Sequence, residues 1–495
     1  MKRRSSRGRV GRHPVSPDGG IDSLDEREPV RYMEISYLLI LIGALATTAL
    51  ITRFGVARRW GSAISRRKGP ALLIFLAMGS LFIGGNESGS TISLAADTTR
   101  AVRAIVLGFI FLVSVYGILT HPFSIRRAGN ASRWMVLYSL LAMLSAVYSI
   151  SPLVSLWKGF EVLSFVVMGV YLSRYLSTLD DIQWGIDLIC IAMLYFSLSV
   201  IFSVIISPAQ ALPKSQGMSG SIITGAHSLI PAIYPNSVTQ FAALLSCLTL
   251  CQFLSPSPNG GKTGLLCILG LGGLVLILGH SRTSLFGAFI ALGVILIMGR
   301  YIITAIIVGF FVLAGMLVGV GEILTSYILR GQTEQAFYGM TGRTYYWNQV
   351  WEVVLDSPLF GHGFYAQRIM LSVSSVDNTY LQILLGLGVV GLIVILVPLG
   401  TVAYRLYKDR PHSRTSAQEK VVWLQLVTIY IIIMMRSITG PTFQDFNINL
   451  ALLMLVILSV TAFAVIKRAS EGPVEVGPVS MPLLVSDPSE RPSPT

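Results

Sequence analysis

Two arginines stand out among the side chains of this sequence that could do chemistry, because each adjoins a strongly apolar segment. Arg282 lies in the stretch His-Ser-Arg-Thr between two apolar runs, and Arg343 opens an aromatic-rich stretch. Charges at membrane depth are costly and tend to be functional. Guanidinium groups hold phosphate oxygens in a forked geometry, so the pair predicts an anion-binding site. The alternative for each arginine is a side chain that reaches the lipid headgroups.

Further polar residues lie at the edges of apolar runs. Asp377 and Asn378 precede a long run, where a helix N-terminus favours an anion or an Asx cap. Asn236 stands at the start of another run. Lys158 lies one turn ahead of Glu161, so it is either a substrate contact or one half of an ion pair with that glutamate.

The stretch GMTGRTYYWNQVWEVVLDSPLFGHGFYA, residues 339–366, is unusually specified for a connector. Its apolar residues recur at helical spacing, at Trp347, Val350, Trp351, Val354 and Leu355. Pro358 is expected to end this helix, and Gly361 and Gly363 allow either a tight turn or the close approach of a ligand. We interpret the stretch as the floor or lid of an active site at a membrane surface.

The composition is that of a membrane protein. Of the 495 residues, 53% are hydrophobic and 12% are charged, and the mean hydropathy is +0.69. Soluble domains carry about 25% charged residues, so we predict an all-α polytopic membrane protein. The formal charge of +13 is explained by basic loops that face the cytoplasm. The sequence has no basic-aromatic pattern of a nucleic-acid binder, and we expect no nucleic-acid partner.

Thirteen apolar runs are long enough, or nearly so, to cross a bilayer at about 20 residues per crossing. They are 35–51, 70–85, 101–119, 134–150, 153–173, 186–206, 236–254, 264–279, 284–299, 302–319, 379–397, 421–436 and 448–466. We expect about 12–13 transmembrane helices within residues 35–466, with a long, partly helical outer loop at 320–378. The polar segments 1–31 and 469–495 are expected to be a disordered arm and tail. The two runs beside Arg282 are short, which predicts tilted or broken helices.

Lysine and arginine accumulate in alternate loops, which sets the expected orientation. The basic segments are 52–69, 126–133, 405–420 and 467–468. With these in the cytoplasm, the outer loops are 86–100, 207–235, 280–283, 320–378 and 437–447. The first run stays open, because thirteen spans would leave the basic arm outside. Either the first run is an added span, or it lies along the membrane interface, or one pair of short apolar runs is wrongly counted as two spans.

No pattern of residues points to a metal or another cofactor. The cysteines Cys190, Cys247, Cys251 and Cys267 all fall inside apolar runs and are predicted to be buried packing thiols. His227, His280 and His362 share no metal-ligand spacing and are predicted to be hydrogen-bonded interface residues.

At these residues the sequence resembles the O-antigen ligase and O-antigen polymerase superfamily of integral membrane proteins. Five stretches follow one another in the family's order. They are SPLVSLWKGFE, PNSVTQFAALL, LILGHSRTSLFGAFIAL, GRTYYWNQVWEVVLDSPLFGHGF and DNTYLQILLGLGVVGL. The resemblance covers about residues 145–465, and its specificity comes from the order of the five stretches, since each one alone is a weak signal.

The resemblance implies a membrane-embedded glycosyltransferase that uses a lipid-diphosphate sugar donor. An acceptor hydroxyl attacks the anomeric carbon of the donor, and undecaprenyl diphosphate leaves. Positioned cations stabilise the charge that develops on the diphosphate, and the family is regarded as metal-independent. By carry-over, the expected catalytic residues are Asp377, Arg282 and Arg343. The expected substrate-binding residues are Arg282, Arg343, Lys158, Asn236, Asn378, Tyr380, Trp347, Gly361 and Gly363.

One position departs from the family pattern. Ligases carry a histidine, the candidate base for the acceptor hydroxyl, where this chain has Asp377. An aspartate can serve as a base when burial raises its pKa, and His362 or His280 could take its place. The substitution favours polymerisation of O-antigen or exopolysaccharide repeat units over transfer of a finished glycan.

The leading hypothesis is a polysaccharide polymerase on the outer face of the bacterial cytoplasmic membrane. Its expected partners are a lipid-linked oligosaccharide donor, a glycan acceptor and membrane lipids, with a chain-length regulator as a further candidate. A ligase is the alternative within the same chemistry. A transporter of lipid-linked sugars would more often have an internal repeat and charges near mid-membrane, whereas the charges here gather at the outer edge. A non-catalytic scaffold is supported only by the missing histidine.

Overall fold

The computed structural model describes residues 56–81, 98–120, 123–212, 214–217, 220–223, 225–256, 261–301, 303–304, 306–307, 325, 329, 343–371, 376–412, 415–444 and 447–470. The predicted arm at 1–31 and the first apolar run at 35–51 lie outside these residues, as do nearly all of the tail and of the run at 302–319. The predicted outer loops at 86–100 and 320–378 are described in part.

The described chain is almost entirely helical. Its helices are α1 (Val56–Arg66), α2 (Lys68–Ser80), α3 (Thr98–Thr120), α4 (Phe123–Leu144), α5 (Pro152–Leu172), α6 (Leu179–Ile206), α7 (Pro208–Ala211), α8 (Pro235–Phe253), α9 (Lys262–Leu278), α10 (Arg282–Met298), α11 (Arg343–Asp356), α12 (Gln367–Met370), α13 (Thr379–Lys408), α14 (Ala417–Thr439) and α15 (Ile448–Ser470). Two short antiparallel hairpins, which were not predicted, lie in the loop at 207–235. They pair β1 (Lys214–Gly217) with β2 (Gly220–Ile223) and β3 (Ser228–Leu229) with β4 (Ala232–Ile233).

Six helices in the described part of the chain are long and apolar enough to cross a membrane, which confirms an all-α polytopic membrane protein. They are Ala101–Thr120, Pro152–Tyr175, Leu179–Ile206, Thr379–Lys408, Ala417–Thr439 and Ile448–Ala469. The helices α2, α9 and α10 are apolar but shorter. The short pair predicted beside Arg282 is therefore observed, because α9 ends and α10 begins there with 17 residues each.

Side-chain caps set where three of the long helices begin. Thr178 and Asp181 form a reciprocal capping box at the start of α6. The side chains of Asn378 and Ser416 accept backbone hydrogen bonds at the starts of α13 and α14. Such caps satisfy amide groups that the first turn of a helix leaves unpaired. The capping box explains why α6 begins well ahead of the predicted run at 186–206.

Helix α4 differs from its predicted boundaries. The run at 134–150 was expected to be a span preceded by a basic loop, but α4 begins at Phe123 and already includes residues 126–133. The backbone turns at Gly129, whose φ of 75° only glycine adopts readily. A 3-10 turn at Ser145–Val147 replaces the end of the predicted run.

Helix α13 is longer than predicted. It runs to Lys408, although the apolar run ends at residue 397. Arg405 and Lys408 lie in its last turn, where positive charge complements the negative end of the helix dipole. The added residues 398–408 mix apolar with polar side chains, so the hydropathy of the sequence does not mark the end of the helix.

The helix bundle has a central helix and a peripheral one. In α15, 72% of the most apolar window is buried inside the protein, against 22% in α3. Fully buried side chains such as Phe165, Ile186 and Leu453 form one continuous core with those of α8, α13 and α14. The low burial of α3 leaves most of its apolar surface for lipid.

Three of the predicted basic segments, 52–69, 405–420 and 467–468, lie together at one end of the bundle, which we call the basic end. Its contacts join Arg59 to Asp187 over 2.7 Å, Arg67 to Asp181 over 2.6 Å, Lys420 Nζ to the Gly299 carbonyl over 2.7 Å and Lys467 Nζ to the Arg410 carbonyl over 3.2 Å. Because α10 ends here and α14 begins here, the start of α10 and the end of α14 lie at the opposite end.

Candidate active site

Helix ends from four helices, α10, α11, α13 and α14, meet at the end of the bundle opposite the basic end, and we call this place the junction. The hydroxyl of Thr439, at the end of α14, donates to that of Thr283, at the start of α10, over 2.9 Å. Thr379, at the start of α13, donates to the carbonyl of Gly440 over 2.6 Å. These bonds hold the ends of three membrane helices against one another.

Helix α11 begins and ends where the sequence predicted, at Arg343 and at Asp356 before a proline. Val350 and Val354 are buried and pack with Val376 and with the first turns of α13. This packing brings the start of α11, and Arg343 with it, to the junction.

Trp347 ties α11 to the segment before α13. Its indole Nε1 donates to the carbonyl of Val376 over 3.0 Å, next to Asp377. Trp351 and Leu355, which belong to the same predicted apolar stripe, are 49% and 60% exposed. The predicted stripe therefore has two parts. Trp347 packs toward α13, whereas Trp351 and Leu355 form an exposed apolar surface.

Arg343 and Asp377 form an ion pair at the junction. The guanidinium Nε lies 3.3 Å from the carboxylate Oδ2, and the two side chains are 29% and 45% exposed. Asp377 has a φ of 53°, a left-handed conformation that few residues other than glycine adopt. Asn378 follows it and accepts from the Leu381 amide over 3.0 Å, which is the Asx cap that the sequence predicted.

Arg282 occupies the first position of α10, beside the start of α8. Its guanidinium donates to the carbonyl of Leu329 over 3.4 Å. The hydroxyl of Ser284 donates to the Asn236 carbonyl over 3.4 Å, which places Asn236 next to the start of α10. Burial affects the charged form of Arg282 most, and Arg343 lies near enough for its positive charge to act on Arg282 as well.

A third arginine, Arg436, lies in the last turn of α14. The charges of Asp377 and Arg343 both act on it. Its guanidinium packs against Gly440, where an added Cβ would lie 2.8 Å from the Arg436 Cζ. Arg436 was not predicted to belong to the site, because it is the last residue of a predicted span. The available signal was an arginine at the outer end of a span, against the usual placement of positive charge inside.

The junction carries an excess of positive charge. Among the described residues discussed above, the three arginines Arg282, Arg343 and Arg436 share the junction with one carboxylate, that of Asp377, which contacts Arg343. The starts of α10, α11 and α13 add partial positive charge, because unpaired amides gather at helix N-termini. Such a place suits an anionic ligand with more than one negative oxygen.

Tyr346 is a second residue that the sequence analysis missed. Burial and the negative charge of Asp377 together raise its pKa to about 12. Its hydroxyl is buried and has no hydrogen-bond partner within the described parts of the chain. Tyr346 therefore stays a neutral hydroxyl donor beside the carboxylate at neutral pH.

Tyr380, which was predicted to bind substrate, contacts α14 through its hydroxyl. Its hydroxyl lies 2.9 Å from that of Ser437, the neighbour of Arg436. This bond fixes the first turn of α13 relative to the last turn of α14. A substrate-binding role for Tyr380 stays a prediction.

Gly361 and Gly363 are packed against protein. Their φ values are 68° and 103°. A Cβ on Gly361 would lie 2.6 Å from the backbone of Gly386, and one on Gly363 would collide with Ser149. The sequence predicted either a tight turn or the close approach of a ligand at these glycines. The close approach observed is to protein, namely to α13 and to the turn after α4. Their predicted role in substrate binding stays a prediction.

Lys158 forms an ion pair with Glu161, which is one of the two roles that the sequence predicted for it. Its Nζ lies 3.1 Å from the carboxylate, and Arg103 contacts the other oxygen of the same buried carboxylate over 3.0 Å. The Nζ also lies 5.0 Å from the ring centre of Tyr365. The substrate-binding role of Lys158 stays a prediction beside this ion pair.

The histidines and cysteines form no cluster suited to a metal. No group of three or more His, Cys, Asp or Glu side chains in the described ranges could hold an ion. His362 Nε2 lies 2.9 Å from the Val353 carbonyl, and His227 Nδ1 lies 3.0 Å from that of Gly225, as expected of hydrogen-bonded residues. Cys190, Cys247 and Cys251 are buried, whereas Cys267 is exposed on α9 and corrects that part of the prediction.

The fold and the junction define a multi-pass membrane protein with a cationic centre at one end of its helix bundle. Residues 265–396 match the family model described as O-antigen ligase, which confirms the resemblance to the O-antigen ligase and polymerase superfamily. The matched segment includes Arg282, Arg343 and Asp377, and Arg436 lies beyond it. Comparison with curated proteins gave no match. The family implies a glycan-transferring activity of the ligase or polymerase type.

Proposed function

We propose that this protein polymerises undecaprenyl-diphosphate-linked oligosaccharide repeat units of an O-antigen or exopolysaccharide. The observation that carries the proposal is the junction, where Arg343 contacts Asp377 over 3.3 Å and Arg282 begins α10 beside it. Guanidinium groups bind phosphate oxygens in a forked geometry. The family match over residues 265–396 supports the choice of a glycan donor.

The proposed reaction forms one glycosidic C–O bond and breaks another C–O bond. The acceptor hydroxyl attacks the anomeric carbon of the donor and gives its proton to Asp377. The bond from that carbon to the diphosphate breaks, and its electron pair leaves with undecaprenyl diphosphate. Arg282 and Arg343 stabilise the charge that develops on this leaving group. No metal takes part in this scheme.

Asp377 suits the role of the base in two respects. Its side chain is 45% exposed, so an acceptor can reach the carboxylate. Arg343 lies 3.3 Å from one carboxylate oxygen and fixes the orientation of the carboxylate. The neutral hydroxyl of Tyr346 lies within the field of the same carboxylate and is a candidate hydrogen-bond donor to a sugar oxygen.

The charge distribution along the chain supports an outward-facing site. Positive residues accumulate on the cytoplasmic side of membrane proteins, and the basic end carries Arg59, Arg67, Lys420 and Lys467. We therefore place the basic end in the cytoplasm of a bacterial cell and the junction at the outer face of the cytoplasmic membrane. Lipid-linked repeat units would be polymerised there.

The proposal is tested by elongation of a purified lipid-linked repeat unit in liposomes that contain the protein and a chelator. Wild-type protein is expected to produce ladders of longer glycan. The variants Arg282→Ala, Arg343→Ala and Asp377→Asn are expected to lose about a hundredfold or more of this rate. Arg133→Ala serves as the matched control, because Arg133 is exposed on α4.

Two results would contradict the polymerase, and a third would contradict its mechanism. Transfer of one finished block to an added acceptor, without ladders, would indicate a ligase. Movement of labelled lipid across the bilayer without glycan transfer would indicate a transporter. Loss of elongation in chelator alone would contradict the metal-independent mechanism.

A further inference from the structure

Arg436 is a membrane-edge cation that contacts no carboxylate among the described residues. No hydrogen bond or ion pair joins its guanidinium to any described residue. Asp377 acts on it through space, but that carboxylate is in contact with Arg343. An arginine offers five N–H donors, so the Arg436 guanidinium has the donors to bind the oxygens of an anionic ligand.

A purely structural role would be interaction with the helix dipole. Cations in the last turn of a helix are favourable, by about 0.3–1 kcal/mol at exposed positions. That role needs only a positive charge, and lysine fulfils it as well as arginine. The contact of the guanidinium with Gly440 and its nearness to Arg343 are not needed for such a role. Placing two like charges together is instead typical of anion sites.

The surrounding hydrogen bonds fix Arg436 relative to the other charged residues. Ser437 contacts Tyr380 at the start of α13, and Thr439 contacts Thr283 at the start of α10, each over 2.9 Å. Ser437 and Thr439, which follow Arg436 on α14, are therefore hydrogen-bonded to the two helices that begin beside Asp377 and at Arg282. The end of α14 that carries Arg436 thus contacts both helix starts.

We propose that Arg436 is a third diphosphate-binding residue of this site, an inference that rests on the proposed function. A sugar-linked lipid diphosphate carries one ionised oxygen on each phosphate. The two positive charges of Arg282 and Arg343 and the negative charge of Asp377 sum to one positive charge. Arg436 raises this sum to two. The positive charges of the site then equal the negative charges of the bound donor.

The same balance holds through the reaction. When Asp377 accepts the proton of the acceptor hydroxyl it becomes neutral, and the site gains one unit of positive charge. The departing lipid diphosphate gains one unit of negative charge at the same step. With Arg436 present, positive and negative charges match both before and after transfer, so the site stabilises the product of the bond cleavage.

The test is binding of farnesyl diphosphate and farnesyl monophosphate to the full-length protein in detergent. The proteins compared are wild type, Arg436→Gln, Arg436→Lys, Arg282→Gln and the exposed control Arg133→Gln. Arg436→Gln is expected to weaken diphosphate binding by about tenfold to a hundredfold and monophosphate binding less. Arg436→Lys is expected to keep the wild-type melting temperature and still bind the diphosphate several-fold more weakly, because lysine lacks the fork.

The outcomes separate the inference from the proposed function. If Arg436→Lys binds the diphosphate as tightly as wild type, the role of Arg436 is only its charge at the helix end, and the inference is overturned. The same holds if Arg436→Gln binds normally while Arg282→Gln does not. If wild type binds neither probe and elongates no glycan, the proposed function itself fails.

Discussion

Arg343 and Asp377 lie 34 positions apart in the chain, yet the guanidinium Nε of one is 3.3 Å from the carboxylate Oδ2 of the other. The pair joins the start of the surface helix α11 to the cap of the membrane helix α13. Trp347, one turn along α11, bonds the carbonyl of the residue before Asp377. The packing of α11 thus determines the position of the Asp377 carboxylate at the start of α13.

Asp377 should be replaceable by the family's histidine more readily than by asparagine. Asp377→Asn keeps the shape but removes the proton acceptor, so elongation should fall by about a hundredfold to ten-thousandfold. Asp377→His restores a base and should retain measurable turnover. Rates from a fluorescent lipid-linked repeat unit decide this, with farnesyl diphosphate binding as the control for donor affinity. Equal activity of Asp377→Asn and wild type would exclude Asp377 as the base.

Trp347 should matter more than the neighbouring tryptophan. Trp347→Phe removes the indole hydrogen bond to Val376 and should lower stability by about 1 kcal/mol and reduce elongation several-fold. Trp351→Phe is the matched control, because Trp351 is 49% exposed and faces away from the site. Melting temperature and elongation rate are measured on both variants. A larger loss of activity in Trp351→Phe would place the functional face of α11 on the other side.

Tyr346 should titrate late. Its pKa is raised to about 12 by burial and by Asp377, whereas an unfolded tyrosine ionises near 10. Between about pH 10 and 12 the unfolded chain therefore loses the proton first, and the folded protein loses stability as the pH rises.

Melting temperatures measured across that pH range should fall less steeply for Tyr346→Phe than for wild type. In Asp377→Asn the phenol should titrate earlier, because one of the two causes of the raised pKa is gone. This is measured by NMR of the ring carbon of labelled tyrosine, assigned with Tyr346→Phe. An unchanged titration in Asp377→Asn would show that the two side chains do not interact.

Gly361 should tolerate no side chain. Its φ of 68° and the 2.6 Å approach of an added Cβ to Gly386 predict that Gly361→Ala lowers the free energy of unfolding by about 1–3 kcal/mol. Gly400→Ala is the matched control on α13, because nothing lies within 4 Å of its added Cβ. That variant should be neutral or more stable, since alanine favours a helix by up to about 1 kcal/mol. Equal melting temperatures for the two variants would contradict the packing.

Local patterns in the sequence predicted the parts of the site that depend on neighbours in the chain. Hydrophobic periodicity and a proline gave α11 its bounds, and the Asx cap at Asn378 follows from the residue type at a helix start. Arg282 was predicted because two short runs flank it. The basic segments were predicted to share one side, and Lys420 contacts Gly299 at the basic end.

Contacts between distant helices could not be predicted in the same way. Arg436 joins the junction because the end of α14 packs on the start of α10, through Thr439 and Thr283, which are 156 positions apart. Hydropathy fixes neither the neighbours of a helix nor its rotation. Tyr346 was missed for the same reason, since only the packing of α11 brings its ring beside Asp377.

The most direct test of the central claim counts leaving groups against bonds formed. Purified protein in liposomes is given a repeat unit on undecaprenyl diphosphate, and the released undecaprenyl diphosphate and new glycosidic bonds are measured together. We predict one released lipid diphosphate for each bond, with both lost in Arg282→Ala and both retained in Arg133→Ala. New bonds without release of lipid diphosphate, or release without new bonds, would contradict the account.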